Sequence, residues 1–138
     1  MERFAWGDTV SRSEAAGIPF LMYEPRRRRV PELLKEATRW PDRPHLIQGE
    51  RSLTFADCQA AINAVAAHLL KAGVCAGDRL LILAANSPEW VISLWGGLAI
   101  GAIVAPGNGW WSEEEVDHAV RLVEPKLVIG DAKRLAKV

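Results

Sequence analysis

Leu80-Leu81-Ile82-Leu83-Ala84-Ala85-Asn86-Ser87-Pro88-Glu89-Trp90 decides the fold of this chain. Its apolar run does not alternate with polar residues, so the strand it forms is covered on both faces, as in a parallel sheet. Ser87, Pro88 and Glu89 then supply an N-cap, a first-turn proline and a first-turn acid, which opens a helix running to about Ile100. A buried strand that turns at once into a helix is half of a βαβ unit.

Upstream, Gly77-Asp78 turns the chain into the strand. Before it, Phe55, Cys58, Ile62, Val65, Ala66 and Leu69 recur at helical spacing behind Thr54, which can act as the cap. Gly73 stands where a left-handed C-cap ends that helix. Earlier still, His45 to Gln48 and Arg51 to Thr54 flank Gly49-Glu50 as a hairpin, and a short helix is expected from Pro31 until Pro41 stops it. Residues 1–30 show no periodicity and read as an extended N-terminal arm ending in the run Arg26-Arg27-Arg28-Arg29, whose charges are expected to be solvated.

Downstream, Ala102 to Ala105 is a second strand, and Ser112 with Glu115 is a capping box for a helix whose inner face is Val116, Ala119, Val120 and Val123. Pro125 ends that helix, Leu127 to Ile129 is a third buried strand, and Ala132 to Val138 begins a further helix. Alternating strands and helices with apolar strands predict an α/β fold, a parallel sheet with flanking helices of partial doubly wound, flavodoxin-like form. The expected division is an arm over 1–30 and an α/β subdomain over 31–138, truncated at its C-terminal end. Ligands of such sheets gather beyond the carboxyl ends of the strands: Ala85 to Ser87, Pro106 to Trp111, and Asp131 to Arg134.

Seventeen basic and 17 acidic residues leave no net charge, which argues against a nucleic-acid partner. Cys58 and Cys75 have neither CxxC nor metal-ligand spacing and fit a reduced cytoplasmic setting. The charges among Met1 to Asp8 do not fit a signal peptide. Val91 to Pro106 contains Gly97 and Gly101 at GxxxG spacing but falls short of the roughly 20 apolar residues a bilayer requires. It reads as a buried helix feeding a buried strand, so no transmembrane segment is expected.

The residues supply no reaction. GxxxxGK[ST], GxGxxG after a strand, and GxSxG are all missing. His45, His68 and His118 lie one to an element, without metal-ligand spacing. Glu113 to Glu115 are explained by the capping box and the helix dipole. Trp90 and Trp95 are expected in the core. Trp110-Trp111, beside Gly107 and Gly109, fits either a ligand channel or a contact with a further domain.

Taken in order, Leu53-Thr54-Phe55, Gly73-Val74, Gly77-Asp78-Arg79, Asn86-Ser87-Pro88-Glu89-Trp90, Gly101-Ala102, Ala105-Pro106, Ser112 to Val116 and Leu127 to Asp131 resemble the N-terminal region of AMP-forming acyl-CoA synthetases, the adenylate-forming, luciferase-like superfamily. With flanking elements the resemblance runs from Pro31 to Lys133. It implies a ligase for a fatty or other carboxylic acid, using ATP, Mg2+ and CoA in adenylation followed by thioester formation. The family's phosphate loop, its Tyr-Gly-x-Thr-Glu motif, its ribose-binding aspartate and its C-terminal lysine are not among these residues, so no catalytic residue is assigned. The resemblance implies CoA contacts at Gly107, Gly109, Lys133 and Arg134. The loop Gly107-Asn108-Gly109-Trp110-Trp111 departs from the family's commoner asparagine-and-proline form.

The fragment alone is expected to be inactive, to bind no cofactor tightly, and to self-associate through an uncovered sheet. The competing readings are a non-catalytic, flavodoxin-like nucleotide-binding or interaction module, and a truncation product that keeps its fold without function. An open reading frame beyond Val138 encoding a Thr-Gly-x-Pro-Lys-Gly-like loop discriminates between them.

Overall fold

The computed structural model describes residue 7 and residues 9–138. The start of the expected arm, residues 1–6 and 8, lies outside the described residues. The chain divides into two compact units, Met1–Leu33 and Leu34–Val138.

In the first unit, β1 (Thr9–Ala15) pairs antiparallel with β2 (Ile18–Glu24), Ala15 lying opposite Ile18. The arm expected over 1–30 is therefore a hairpin across these residues, followed by a 3-10 turn at Val30–Leu33. Its two-residue turn has positive φ at both Ala16 (52°) and Gly17 (78°), the twist that suits right-handed strands. Ala-Gly lacks the asparagine or aspartate that usually advertises such a turn, so the hairpin is not signalled by its turn residues. Glu24 pairs with Arg26 and Arg28, so part of the arginine run is neutralised locally.

The second unit opens with α1 (Leu34–Ala37), shorter than Pro41 alone requires. The Thr38 hydroxyl donates to the Lys35 carbonyl at 2.8 Å, bonding side chain to backbone at the helix end. The hairpin β3 (Pro44–Gln48) and β4 (Arg51–Thr54) leads into α2 (Phe55–Lys71). Thr54 and Asp57 cap α2 reciprocally, and Gly73 follows it at φ +82°, a conformation costly for any residue with a Cβ.

The remaining elements are β5 (Arg79–Leu83), α3 (Pro88–Ala99), β6 (Ile103–Pro106), α4 (Glu113–Val123), β7 (Leu127–Gly130) and α5 (Ala132–Leu135). The three strands form a parallel sheet in the order β6-β5-β7. The connection β5 to β6 runs one way across the sheet, and β6 to β7 runs back past β5. Crossovers of one hand in opposite directions place their helices on opposite faces. Accordingly Leu80, Val104, Leu127 and Ile129 pack with Val65 and Leu69 of α2, whereas Leu81, Leu83, Ala105 and Val128 pack with Val116 and Val120 of α4.

Central β5 explains the unbroken apolar run. Leu80 and Ile82 are 0% exposed, and each such side chain contributes about 1.5–3 kcal/mol by leaving water. Arg79 seals the carboxyl end of α4, donating from Nε to Val123 O at 3.0 Å and from Nη2 to Glu124 O at 2.8 Å. The apolar stretch Val91 to Pro106 is the body of α3 followed by β6. Among the described residues no helix is long and apolar enough to cross a membrane.

Candidate cleft at the carboxyl ends of the strands

The β5–α3 loop forms because β5 ends at Leu83 and Ser87 caps α3, its hydroxyl accepting from Trp90 N–H at 3.2 Å. Clefts open on either side of that loop. One, of roughly 380 Å³, is bounded by Asn86, Glu89, Trp90, Ile129 and Asp131. The other, of roughly 370 Å³, lies between Ala85, Asn86 and Trp90 on one wall and Gly107 to Trp110 with Arg134 on the other. Trp90 therefore lines both clefts and is half-buried, as is Trp95, where the sequence reading expects both in the core.

The topology brings Gly107, Gly109 and Arg134 to one cleft. Lys133 is exposed on the same turn as Arg134 and does not line that cleft. Gly107 is closely hemmed: a Cβ there would meet Leu83 and lie 3.0 Å from the Trp111 ring. At Gly109 a Cβ would come within 2.5 Å of Arg134 Nε, so glycine is what lets the guanidinium reach the loop. The pair Trp110-Trp111 divides. Trp111 is half-buried against the α4 face, whereas Trp110 is 87% exposed at the loop tip, its N–H bonded to Asn108 Oδ1 at 3.0 Å.

Two charged pairs border the clefts. Arg51 of β4 bonds Glu89 of α3; this hydrogen bond holds the Glu89 carboxyl below the usual carboxylate range and raises the Arg51 guanidinium. Asp131 bonds both Ala85 and Arg134. Its carboxyl is likewise held down, first by the Ala85 N–H and then by Arg134. The sequence reading placed Asp131 at a strand end without giving it a role. An aspartate three residues before an arginine, opening a helix, was the available signal.

Cys58, buried in α2, has its thiol pushed up by burial, so it is a poor nucleophile. Among the described residues no group of His, Cys, Asp and Glu is placed to hold a metal ion. The cleft combines glycine backbone, an aromatic wall and a cationic rim, a lining suited to a ligand that carries both ring and phosphate.

Comparison with known proteins gives the chain's family. The 4-coumarate–CoA ligase CCL1 of Humulus lupulus is 36% identical over 103 residues, covering 73% of this chain and 19% of the relative. The long-chain-fatty-acid–CoA ligase heimdall of Drosophila melanogaster is 34% identical over 122 residues, covering 79% of this chain and 18% of that protein. The chain thus spans about a fifth of the length of the curated relatives it matches. The N-terminal subdomain of NpsA from Klebsiella oxytoca, in complex with anthranilyl-AMSN, superposes with a TM-score of 0.72 at 28% identity, covering 75% of this chain and 28% of that one. The inhibitor-bound N-terminal domain of FACL13 from Mycobacterium tuberculosis gives 0.75 at 25% identity, covering 79% and 28%. The family model for AMP-binding enzymes matches residues 33–138, the whole βαβ region together with the clefts described above, and the chain belongs to that adenylate-forming family.

Proposed function

We propose that the protein carrying this chain is an acid:CoA ligase. In its first step a substrate carboxylate attacks the α-phosphorus of ATP, giving an acyl-adenylate and pyrophosphate. In the second the CoA thiolate attacks the acyl carbon and AMP departs with the electron pair of the broken acyl–phosphate bond. Mg2+ neutralises the phosphates in the first step. None of the 138 residues is assigned to either bond change, because the phosphate loop and lysine the family uses are not among them.

The observation that carries the reading is the cleft between the β5–α3 and β6–α4 loops, set in a chain of this family. Its part in the reaction is to receive the nucleotide end of CoA. Gly107 and Gly109 line it, Arg134 forms part of its wall, and Lys133, on the exposed turn beside it, offers positive charge to phosphate. The acid is a fatty acid or an aryl acid; relatives named for both kinds support either. Two free cysteines, one of them exposed, support a reducing, cytoplasmic location.

The test is the complete protein supplied with ATP, Mg2+, CoA and separate panels of fatty and aryl acids. Acid-dependent release of pyrophosphate followed by CoA-dependent release of AMP is the expected result. Acid-dependent pyrophosphate that CoA never converts to a thioester would sink the CoA-ligase reading.

A further inference from the structure

Asp131 stands where three loops meet. Its Oδ1 accepts the N–H of Arg134 at 3.1 Å, an ordinary N-cap of the single turn α5. Its Oδ2 does something a cap does not require. That oxygen accepts the N–H of Ala85 at 2.9 Å, in the β5–α3 loop, and Nη1 of Arg134 at 2.7 Å. The same guanidinium donates from Nε to the carbonyl of Gly109 in the β6–α4 loop, at 3.0 Å. A continuous hydrogen-bonded chain therefore runs Ala85–Asp131–Arg134–Gly109, and its two ends are opposite walls of the 370 Å³ cleft.

We propose that Asp131 is a positioning residue: it ties the β5–α3 loop and, through Arg134, the β6–α4 loop, so that the width of the cleft is set by one carboxylate. The chemistry requires the ionised acid. Every partner of the side chain is a donor, and a carboxylate offers acceptors alone. An asparagine keeps the shape, but its amide NH2 then faces either the Arg134 backbone N–H, losing the cap, or the Ala85 N–H and Arg134 Nη1 together, losing the tie. With Arg134 occupied at both Nη1 and Nε, and its side chain 16% exposed, Arg134 acts first on the loop, and Lys133 is the cation left to meet an entering phosphate. That last assignment rests on the CoA-ligase reading, while the tie between the loops does not.

Two measurements separate these claims. The first is amide NMR of the 138-residue chain titrated with acid. The charged groups bordering the clefts and their loops are Arg134 and Lys133 of α5, Lys137 just after it, whose ammonium bonds the Trp111 carbonyl of the β6–α4 loop, Asp131 itself, and Glu89 of α3 with Arg51 of β4. Glu89 is the other carboxylate among them, so the titration is run in a Glu89→Gln background. The amides of Ala85, Arg134 and Gly109 are expected to shift with one common midpoint, below the ordinary carboxylate range, that Asp131→Asn abolishes. A Gly109 amide that ignores a midpoint seen at Ala85 would overturn the tie.

The second is steady-state kinetics of the complete protein. Asp131→Asn is expected to raise KM for CoA about tenfold, as misplacing a binding loop does, with KM for ATP changed less than about twofold. Arg134→Lys, which keeps the charge but loses the planar fork, is expected to move KM for CoA the same way. Equal rises for both substrates, or none, overturn the positioning role. A wild-type protein that makes no acyl-CoA defeats the ligase reading and leaves the NMR result to decide the tie.

Discussion

Gly97 of α3 lies directly against Leu80 of β5: a methyl group on Gly97 would fall 2.8 Å from Leu80 Cδ1 and 2.7 Å from Val104 Cγ2. Two strands thus meet the helix at one point, and the Leu80 side chain has no room to withdraw, because it is fully buried. Alanine would gain about 1 kcal/mol of helix propensity but incur about 1–3 kcal/mol of overpacking. Gly97→Ala is therefore expected to lower stability on balance, seen as a lower urea midpoint at unchanged m-value. An equal or higher midpoint would show that the helix can lift off the sheet.

The α4 face rests on one helix whose start is fixed by Ser112 and Glu115, with Glu115 N–H bonded to Ser112 Oγ at 3.2 Å and Ser112 N–H to Glu115 Oε2 at 2.7 Å. Ser112→Ala is expected to cost about 1 kcal/mol. Chemical denaturation checks it. No loss at all would mean that burial of Val116 and Val120 alone holds the helix in place.

Acid is expected to destabilise the chain through Asp57 and Asp131. Both carboxyls are held below their ordinary value, Asp57 by the Thr54 hydroxyl and backbone, and Asp131 first by Ala85 N–H. A depressed folded pKa gives stability that is present above the unfolded value and lost as pH falls through the folded one. Melting temperature should therefore drop between about pH 5 and about pH 2, and less steeply in Asp57→Asn. Parallel curves for variant and parent would remove Asp57 from the account.

The isolated chain is expected to self-associate. One face of the sheet carries α2 and α3, whereas α4 alone leaves a groove of roughly 520 Å³ on the other, lined by Leu81, Ala105, Pro106, Trp111 and Leu122. Leu122 is 74% exposed, and both β6 and β7 are edge strands. Burying about 400 Å² of such surface gives about 10 kcal/mol before association costs, enough for a micromolar dimer. Sedimentation over a dilution series decides; a monodisperse monomer at high concentration contradicts the expectation.

Lys133→Glu in the complete protein is expected to weaken CoA more than ATP, since the charge reversal stands on an exposed turn beside the cleft. An unchanged KM for CoA would remove Lys133 from the site.

Local chemistry was legible in the residues because its causes are local. The unbroken run at Leu80 to Leu83, the caps at Thr54, Ser87 and Ser112, and the turn at Gly73 each follow from periodicity, a side-chain oxygen or a missing Cβ. From these, the parallel sheet and its strand-end loops followed too. The hairpin at Thr9 to Glu24 was not legible, since Ala16 adopts positive φ through pairing of strands rather than by its own preference. Nor was the role of Asp131: its partner Ala85 N–H lies 46 residues earlier, and that distance closes only when β7 is laid beside β5. Trp110 and Trp111 are neighbours of one type in sequence; the fold packs Trp111 against Leu83 and Val116 and leaves Trp110 in solvent, because the turn closed by Trp111 N–H to the Asn108 carbonyl at 3.1 Å holds Trp110 at its tip. Sequence determines which elements form, through forces that act within a few residues. Which of their side chains meet is decided by the crossovers that bring distant loops to one end of the sheet.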